Sequence, residues 1–584
     1  MGVATPMSGP RPRLGVPVDE WETDVLVVGG GLAGLVAAWV AGTAGARVTV
    51  LAKGFAGADG VSPFAGGVAL CLLPEDDLDA FLDEHEWACE GLAHREAVAR
   101  VAAISGRLWE WLAAHGVPVE REPGGELRRR WLRVGGRSRV PRLALESVSF
   151  MRHLRRCALG AGARIFDHSC VTELLVGEDG GVEGALGFRR QDGRLLRVRA
   201  RAVVLAAGGC AWRGAHLGVH SAMGEGYGLA ARAGAELASM EYCTSYIATC
   251  SLFDSHGQDI LAALGGRFRN RLGENILERH GEPDPAPPQR VTLAMLTEWL
   301  EGRGPIVFDL REIPAERRRQ WERDFPLVAR ALARTGVDVF DRPVPWIPGF
   351  TGSIAGSGGV RTLDLAGRTT VPGLFAAGDT AWRTPVVGAG SGITYLNLSW
   401  ALASGYWAGA AAAELARERP PATPEPAAEA EAWERALAPL GREGGTRPDE
   451  VLRRLQRLVV DPERNFFRTA AVLEASLREL ERLWDDVRGL AAADWHELVR
   501  YHELEHATLT ALAMFGSALA REETRGWHRR LDFPRRDDRR WRRWTVARLE
   551  PRRERPAFRV GTIALEDPAV FDVRVPAAGV GVGP

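Results

Sequence analysis

A chain of 584 residues, 46% apolar and with a formal net charge of −1, is long enough for two to four domains with full cores and has no bulk attraction for nucleic acid or anionic membrane. No stretch approaches the roughly 18 apolar residues that cross a bilayer, and MGVATPMSGPRPRLGVPVDEW lacks the apolar centre of a secretory signal. Residues 1–20 are therefore expected to be a flexible lead-in to a cytoplasmic protein, and the seven cysteines, with no CxxC pair, exclude a standard iron–sulfur or zinc frame within the chain.

The first element is DVLVVGGGLAGLVAAWVAGTAGARVTVLAK at residues 24–53, an apolar strand, a glycine turn, a helix and a second strand. Gly29, Gly31 and Gly34 stand in G-x-G-x-x-G spacing between strand and helix, with Leu32 and Ala33 at the helix start. That context predicts a dinucleotide-binding βαβ unit, whose pyrophosphate sits on the helix N-terminus. The second strand ends without the Asp or Glu that would hold a ribose hydroxyl, and Lys53, the only lysine of the chain, stands there instead. It is a candidate phosphate or ribose contact.

A loop follows over 54–68, then helical sequence over 76–115 and an amphipathic helix over 145–160. Short strands are expected at 163–166 and 171–175, then a hairpin turning at Asp192-Gly193 whose second strand runs through 202–205 into Ala206-Ala207-Gly208-Gly209. Gly224-Glu225-Gly226 opens a helix over 228–235. From 241 to about 353 the pattern turns irregular, as an inserted domain would. The sheet signal then returns in VPGLFAAGD, which delivers Gly378 and Asp379. A proline-rich linker around 420–432 precedes helices that reach about 520, and a basic segment follows.

GGGLAG, AAGG at 206–209, VPGLFAAGD at 371–379 and REETRGWHRRLDFPRRDD at 521–538, in that order and spacing, resemble the flavoprotein family of succinate dehydrogenase, fumarate reductase, L-aspartate oxidase and the adenylylsulfate reductase alpha subunit. The resemblance implies an α/β fold: a Rossmann-like FAD-binding domain (21–240 and 356–416), an inserted α+β capping domain (241–355), a linker (417–433), a C-terminal helical domain (434–545) and a tail (546–584). It also implies FAD, with Gly29, Gly31, Leu32, Ala33, Gly34 and Lys53 serving the ADP half, Gly66 and Gly67 near the phosphates and ring, and Val171 on the adenine side. Ala207, Gly208, Glu225, Gly378, Thr394 and Leu396 would line the cofactor, and Asp379 would hold ribityl hydroxyls. The loop at 60–67 lacks the histidine that carries covalent flavin in the respiratory members, so the FAD is expected to be non-covalent.

The family's dicarboxylate clamp is not kept. Tyr246 stands where a histidine is expected, the segment at 259–265 keeps an acid but no arginine, and the arginine of Pro-Arg-Asp meets Pro287-Pro288-Gln289-Arg290, displaced by about two places. His-Tyr-x-Met-Gly-Gly becomes Ile354-Ala355-Gly356-Ser357-Gly358-Gly359, and a further arginine becomes Ser391. Two carboxylates held without those cations would be desolvated and unpaired, at a cost of several kcal/mol, which argues against fumarate, succinate or aspartate as substrate.

Trp212, Arg213, Trp346, Trp382, Arg383 and Ser391 are the candidate substrate contacts. Tyr246 and Arg290, with His216 or His220 in reserve, are the candidates for proton handling. The tryptophans have core packing as their ordinary alternative, and a loop histidine has the surface. The expected activity is a soluble FAD-dependent oxidoreduction of an organic substrate under the cap. Two alternatives stay open: the flavin subunit of an adenylylsulfate-reductase-like pair with a separate iron–sulfur partner, for which Arg213, Arg290 and Arg383 would supply anion contacts, and a non-catalytic flavoprotein. A small-molecule substrate and an electron acceptor are the expected partners, oligomerisation stays open, and no nucleic acid is expected.

Overall fold

The computed structural model describes residues 16–573 except 66–67, 133–139, 145–146, 215–217, 253–260, 262–263, 391–395, 421–425, 445, 552, 566 and 568–570. Gly66, Gly67, His216, Ser391 and Thr394 lie outside the described residues.

The fold is α/β. Its main sheet is built on β1 (Val18–Val28), which continues from a half-exposed start into the fully buried run Val25–Val28. β1 therefore begins inside the segment expected as lead-in. A buried apolar helix α1 (Leu32–Thr43) connects it to the parallel β2 (Val48–Leu51), which pairs with β3 (Arg164–Phe166). On its other side β1 lies parallel to β6 (Leu195–Leu205), which also carries the antiparallel β5 (Val182–Arg189) and, beyond it, β4 (Ser169–Val176). Later in the chain β13 (Leu374–Ala376) returns parallel to the end of β6. The register sets Val28 against Leu51 and Leu205, and Leu205 against Ala376, so four chain segments leave the sheet at one edge.

Helix α5 (Leu396–Glu418) crosses α1 at backbone contact. A side chain at Gly405 would place its Cβ 2.5 Å from the Ala33 carbonyl oxygen, so small residues set this crossing.

The inserted region has its own antiparallel sheet, ordered β8 (Tyr246–Cys250), β11 (Val344–Phe350), β10 (Ile306–Asp309) and β9 (Arg267–Arg269), flanked by helix α4 (Pro288–Leu300). A separate core of Phe268, Phe308, Trp321 and Trp346 fills it.

The C-terminal part contains helices α6 (Pro448–Val459), α7 (Ala470–Arg488) and α8 (Trp495–Ala520). It continues into a hairpin, β14 (Arg543–Leu549) and β15 (Phe558–Ala564), so the boundary expected at 545 falls inside a strand. β14 pairs with β7 (Leu237–Ala238), which pairs with β12 (Gly359–Val360), and this stitches the C-terminal part to the cofactor-side chain. A helix over Pro426–Leu437 occupies much of the expected linker, where Glu429 makes a buried ion pair with Arg197 of β6. Among the described residues no helix is long and apolar enough to cross a membrane.

Candidate functional site

The four exits from the sheet edge line one cleft. It is bounded by residues 28–33 after β1, residues 51–56 after β2, Ala206, Ala207 and Gly208 after β6, and Ala377, Gly378 and Asp379 after β13. Residues 59–62, Ser169, Cys170, Val171, Ser221, Glu225, Leu229 and Ala401 complete the lining. Gly34 lets α1 start hard against the turn, since a Cβ there would lie 2.1 Å from the Gly29 carbonyl oxygen. Gly31, at the N-cap, supplies no side-chain cap, and within the first turn the Leu32 amide bonds the Ser62 hydroxyl at 3.1 Å. An uncapped helix N-terminus facing a cleft is a cradle for a diphosphate. The residues present therefore fit a dinucleotide, and Gly29, Gly31, Leu32, Ala33, Lys53, Val171, Ala207, Gly208, Glu225, Gly378 and Asp379 all line that cleft. Gly34 supports it from behind, and Leu396, the buried first residue of α5, lies outside the lining. Ser62, Cys170 and Ala401 belong to the lining without any local motif that marks them.

Lys53 anchors one wall of the cleft. Its ammonium donates to the Ser221 carbonyl at 2.7 Å, to Glu503 at 2.6 Å and to Glu225. Burial alone would disfavour the ammonium, but Glu225 and Glu503 outweigh it and hold the pKa above the ordinary lysine value. Burial likewise opposes the Glu503 carboxylate, yet Lys53 and Arg213 hold its pKa below the usual range. All three ammonium protons are thus committed to protein acceptors, and Lys53 has no hydrogen bond to spare.

Asp379 closes the other end. Burial pushes its pKa up, only partly offset by Arg383, whose guanidinium donates to Asp379 Oδ1 at 2.5 Å. Arg383 also donates to the carbonyls of Ser353 (3.0 Å), Ile354 (2.6 Å) and Gly356 (2.7 Å). The Tyr227 hydroxyl adds bonds to the Asp379 carbonyl at 2.7 Å and to Ser353 Oγ at 3.0 Å. These two side chains fasten the 353–358 segment to the cofactor turn. Ile354 is buried with Ala211, Val219 and Ala222 in a small apolar cluster behind Val61 of the cleft, where the family pattern has a histidine.

Several expected substrate and proton-handling residues are placed elsewhere. The Tyr246 hydroxyl donates to the Val460 carbonyl at 2.8 Å, and its ring packs on Phe350 and Phe466, so burial drives its pKa up and no proton faces the cleft. Arg290 pairs with Glu282 at 3.2 Å and lies over the Trp87 ring. Trp346 is core, 4.8 Å from the Phe308 ring. Trp382 is core too, donating to Ser239 Oγ at 3.1 Å and set edge-on to Trp544. Trp212 donates to the Ala507 carbonyl at 3.1 Å, and Arg213 pairs with Glu503. Both hold positive φ, and Gln456 fixes that costly turn by donating to their carbonyls at 2.9 and 3.2 Å. Arg383, 1% exposed and bonded as above, positions other groups and is sealed from the solvent. His220 is exposed, between Val219 of the apolar cluster and Ser221 of the cleft.

Gln289, where the displaced arginine was sought, is fully buried at the start of α4. Its amide donates weakly to the Ala88 carbonyl and Glu90 Oε1, and its Oε1 has no hydrogen-bond partner among the described residues. The segment 521–530 is a scaffold: Arg521 bonds Glu241 at 2.6 Å and Glu523 at 2.8 Å, and Arg525 bonds Glu523 and the Glu90 carbonyl. His528 accepts from Arg468 at 2.6 Å and donates to the Arg521 carbonyl at 3.1 Å, a pattern that needs the neutral ring. Burial first, then Arg468 and Arg521, hold its pKa well below the usual value.

Residues 24–394 match the model described as "FAD binding domain", and residues 453–574 match "Fumarate reductase flavoprotein C-term". L-aspartate oxidase of Streptomyces coelicolor is 30% identical over 93% of this chain and 94% of its own length. The mitochondrial succinate dehydrogenase [ubiquinone] flavoprotein subunit of Oryza sativa subsp. japonica is 27% identical over 93% and 90%. Among solved structures, E. coli quinol fumarate reductase superposes with a TM-score of 0.81 at 23% identity, covering 93% of this chain and 97% of that one. Adenylylsulfate reductase from Archaeoglobus fulgidus gives 0.80 at 22%, covering 96% and 99%.

Proposed function

Because this chain belongs to the FAD-dependent fumarate reductase, succinate dehydrogenase and L-aspartate oxidase flavoprotein family, and so is an FAD-dependent oxidoreductase, we propose that it acts on an organic substrate other than a dicarboxylate. Bound FAD supplies the redox chemistry at its ring, held without a covalent bond. This chain's groups then have three tasks. The α1 N-terminus holds the diphosphate, Asp379 accepts from ribityl hydroxyls, and the 353–358 segment forms the face presented to the substrate.

The observation that carries the reading is that Val61 of the cleft is backed by buried Ile354, at the family's histidine position, and not by a cation. A carboxylate packed on Val61 would lose its water without gaining a cation from the residues behind it, whereas an apolar or aromatic substrate face gains from the same contact. His220, exposed and next in the chain to Ser221 of the cleft, is the proposed proton-handling group, with His216 four residues before it. The adenylylsulfate alternative loses support, because Arg213, Arg290 and Arg383 are engaged with Glu503, Glu282 and Asp379 respectively.

The test is an anaerobic bleaching experiment on the purified flavoprotein. Succinate, L-aspartate and a panel of uncharged alicyclic and aromatic alcohols, ketones and amines are each added, and the visible flavin bands are followed. Bleaching by a member of the uncharged panel, with none by succinate or aspartate, is expected. Turnover of succinate, fumarate or aspartate at ordinary enzyme rates would sink the proposal.

A further inference from the structure

The C-terminal hairpin ends in an open edge. In the sheet β12-β7-β14-β15 the last strand, β15, pairs with β14 on one side, and among the described residues no strand pairs with the other. A seven-residue edge of unpaired N–H and C=O groups is a template for another strand unless something blunts it.

The two faces of this edge differ sharply. On one, Phe558 and Val560 border a groove completed by Leu477 of α7 and Leu512 and Leu519 of α8, with Glu481 as its acidic lining residue. On the other, Arg559 lies directly opposite Arg548 of β14, both exposed and neither with a carboxylate partner among the described residues. Like charges at facing positions of an antiparallel pair destabilise it. The surroundings add to the excess, since residues 535–559 hold eleven arginines against four acidic residues in a chain whose net charge is −1.

We infer that β15 is a docking edge for a partner polypeptide that adds an extended strand with alternating apolar and acidic side chains. The apolar residues would enter the Phe558–Val560 groove, and the acidic ones would neutralise Arg548 and Arg559, while main-chain hydrogen bonds continue the ladder. A second copy of this chain is a poor occupant, because edge-to-edge pairing would bring Arg559 rows together. Residues 574–584 contain no acidic side chain and do not supply the complement either.

The experiment uses the full-length flavoprotein and a fluorescein-labelled nonapeptide with valine at alternate positions and glutamate between them. One control has lysine in place of glutamate, and another has the same composition with the valines grouped. Anisotropy is expected to show the alternating glutamate peptide binding at least about tenfold tighter than either control, with affinity falling as salt rises. Arg559→Glu should remove that advantage and transfer it to the lysine peptide, with flavin content unchanged. The melting temperature should hold or rise, since the substitution relieves a repulsion. Hydrogen exchange should show protection by the peptide confined to residues 558–564 and the groove. Equal binding of all three peptides, binding unaffected by Arg559→Glu, protection elsewhere, or a dimer that forms through this edge would overturn the inference.

Discussion

Lys53 shows how much of a site a single residue can reveal, and where that stops. Its isolation as the chain's only lysine, at the end of the second strand, is visible in the sequence, but the partner that gives it a role, Glu503, lies 450 positions away on α8. Removing the ammonium leaves Glu503 with Arg213 alone and Glu225 without an ion pair among the described residues, a loss on the order of 3–5 kcal/mol. Lys53→Met should therefore lower both the melting temperature and the ratio of flavin to protein absorbance, and Glu503→Gln should do so less. Arg383 tells the reverse story. Its position in the family segment suggested a substrate contact, whereas it donates to three carbonyls and Asp379. Arg383→Met should destabilise the apoprotein by about 3 kcal/mol or more, and it should weaken FAD binding because nothing then opposes protonation of the buried Asp379. Calorimetry of the apoprotein and FAD titration by flavin fluorescence read the two effects separately.

At the level of elements, what the sequence discloses depends on whether the signal is local. The βαβ unit was legible because periodicity, glycine spacing and strand length all lie within thirty residues, and the hairpin leading to β6 was legible for the same reason. The strand β13 was found by its small-residue ending, but its register against β6 is a long-range property. The β14–β15 hairpin was missed: its arginine-rich segments read as a basic segment and a tail, although Trp544 and Ala547 are buried and β14 is paired on both sides. The aromatic residues near the cap misled in the opposite way, because a buried core tryptophan and a cleft-lining one have the same local sequence. The α1–α5 crossing is likewise invisible without the fold, and it makes a direct prediction. Gly405→Val pushes a side chain into the Ala33 backbone, 2.5 Å from the carbonyl oxygen at Cβ alone, and displaces the helix that starts at the dinucleotide turn. A cost of about 1–3 kcal/mol and a fall in retained FAD are expected. Glu414→Ala, on the exposed side of the same helix, should change neither melting temperature nor flavin content.

For the molecule as a whole, buried histidines set the acid side of its stability. Burial holds His85 at about 4, against a lesser opposing effect of its bond to the Val386 carbonyl, and holds His506 at about 3. Neither ring nitrogen of His506 has a hydrogen-bond partner among the described residues. His528 is depressed as well, so the unfolded chain takes up protons at these rings from about pH 6.5 downward while the native state does not. Their contribution is fully present above pH 6.5 and is lost as pH falls towards the folded values. Each such ring adds a slope of up to about 1.4 kcal/mol per pH unit. Glu298 and Asp309 of the cap, each held at about 2, begin to add to the loss only near pH 4.5 and below. Between pH 8 and 7 the unfolding free energy should therefore be nearly flat in these groups, and between pH 6 and 5 the histidine contribution should fall steeply before Glu298 or Asp309 is involved. Guanidinium unfolding of the apoprotein across this range measures the slope without linkage to FAD binding. His506→Leu removes one proton-binding difference and should flatten the pH 6 to 5 segment by about one histidine's share. An unchanged slope in that variant would mean that His506 is protonated in the native state.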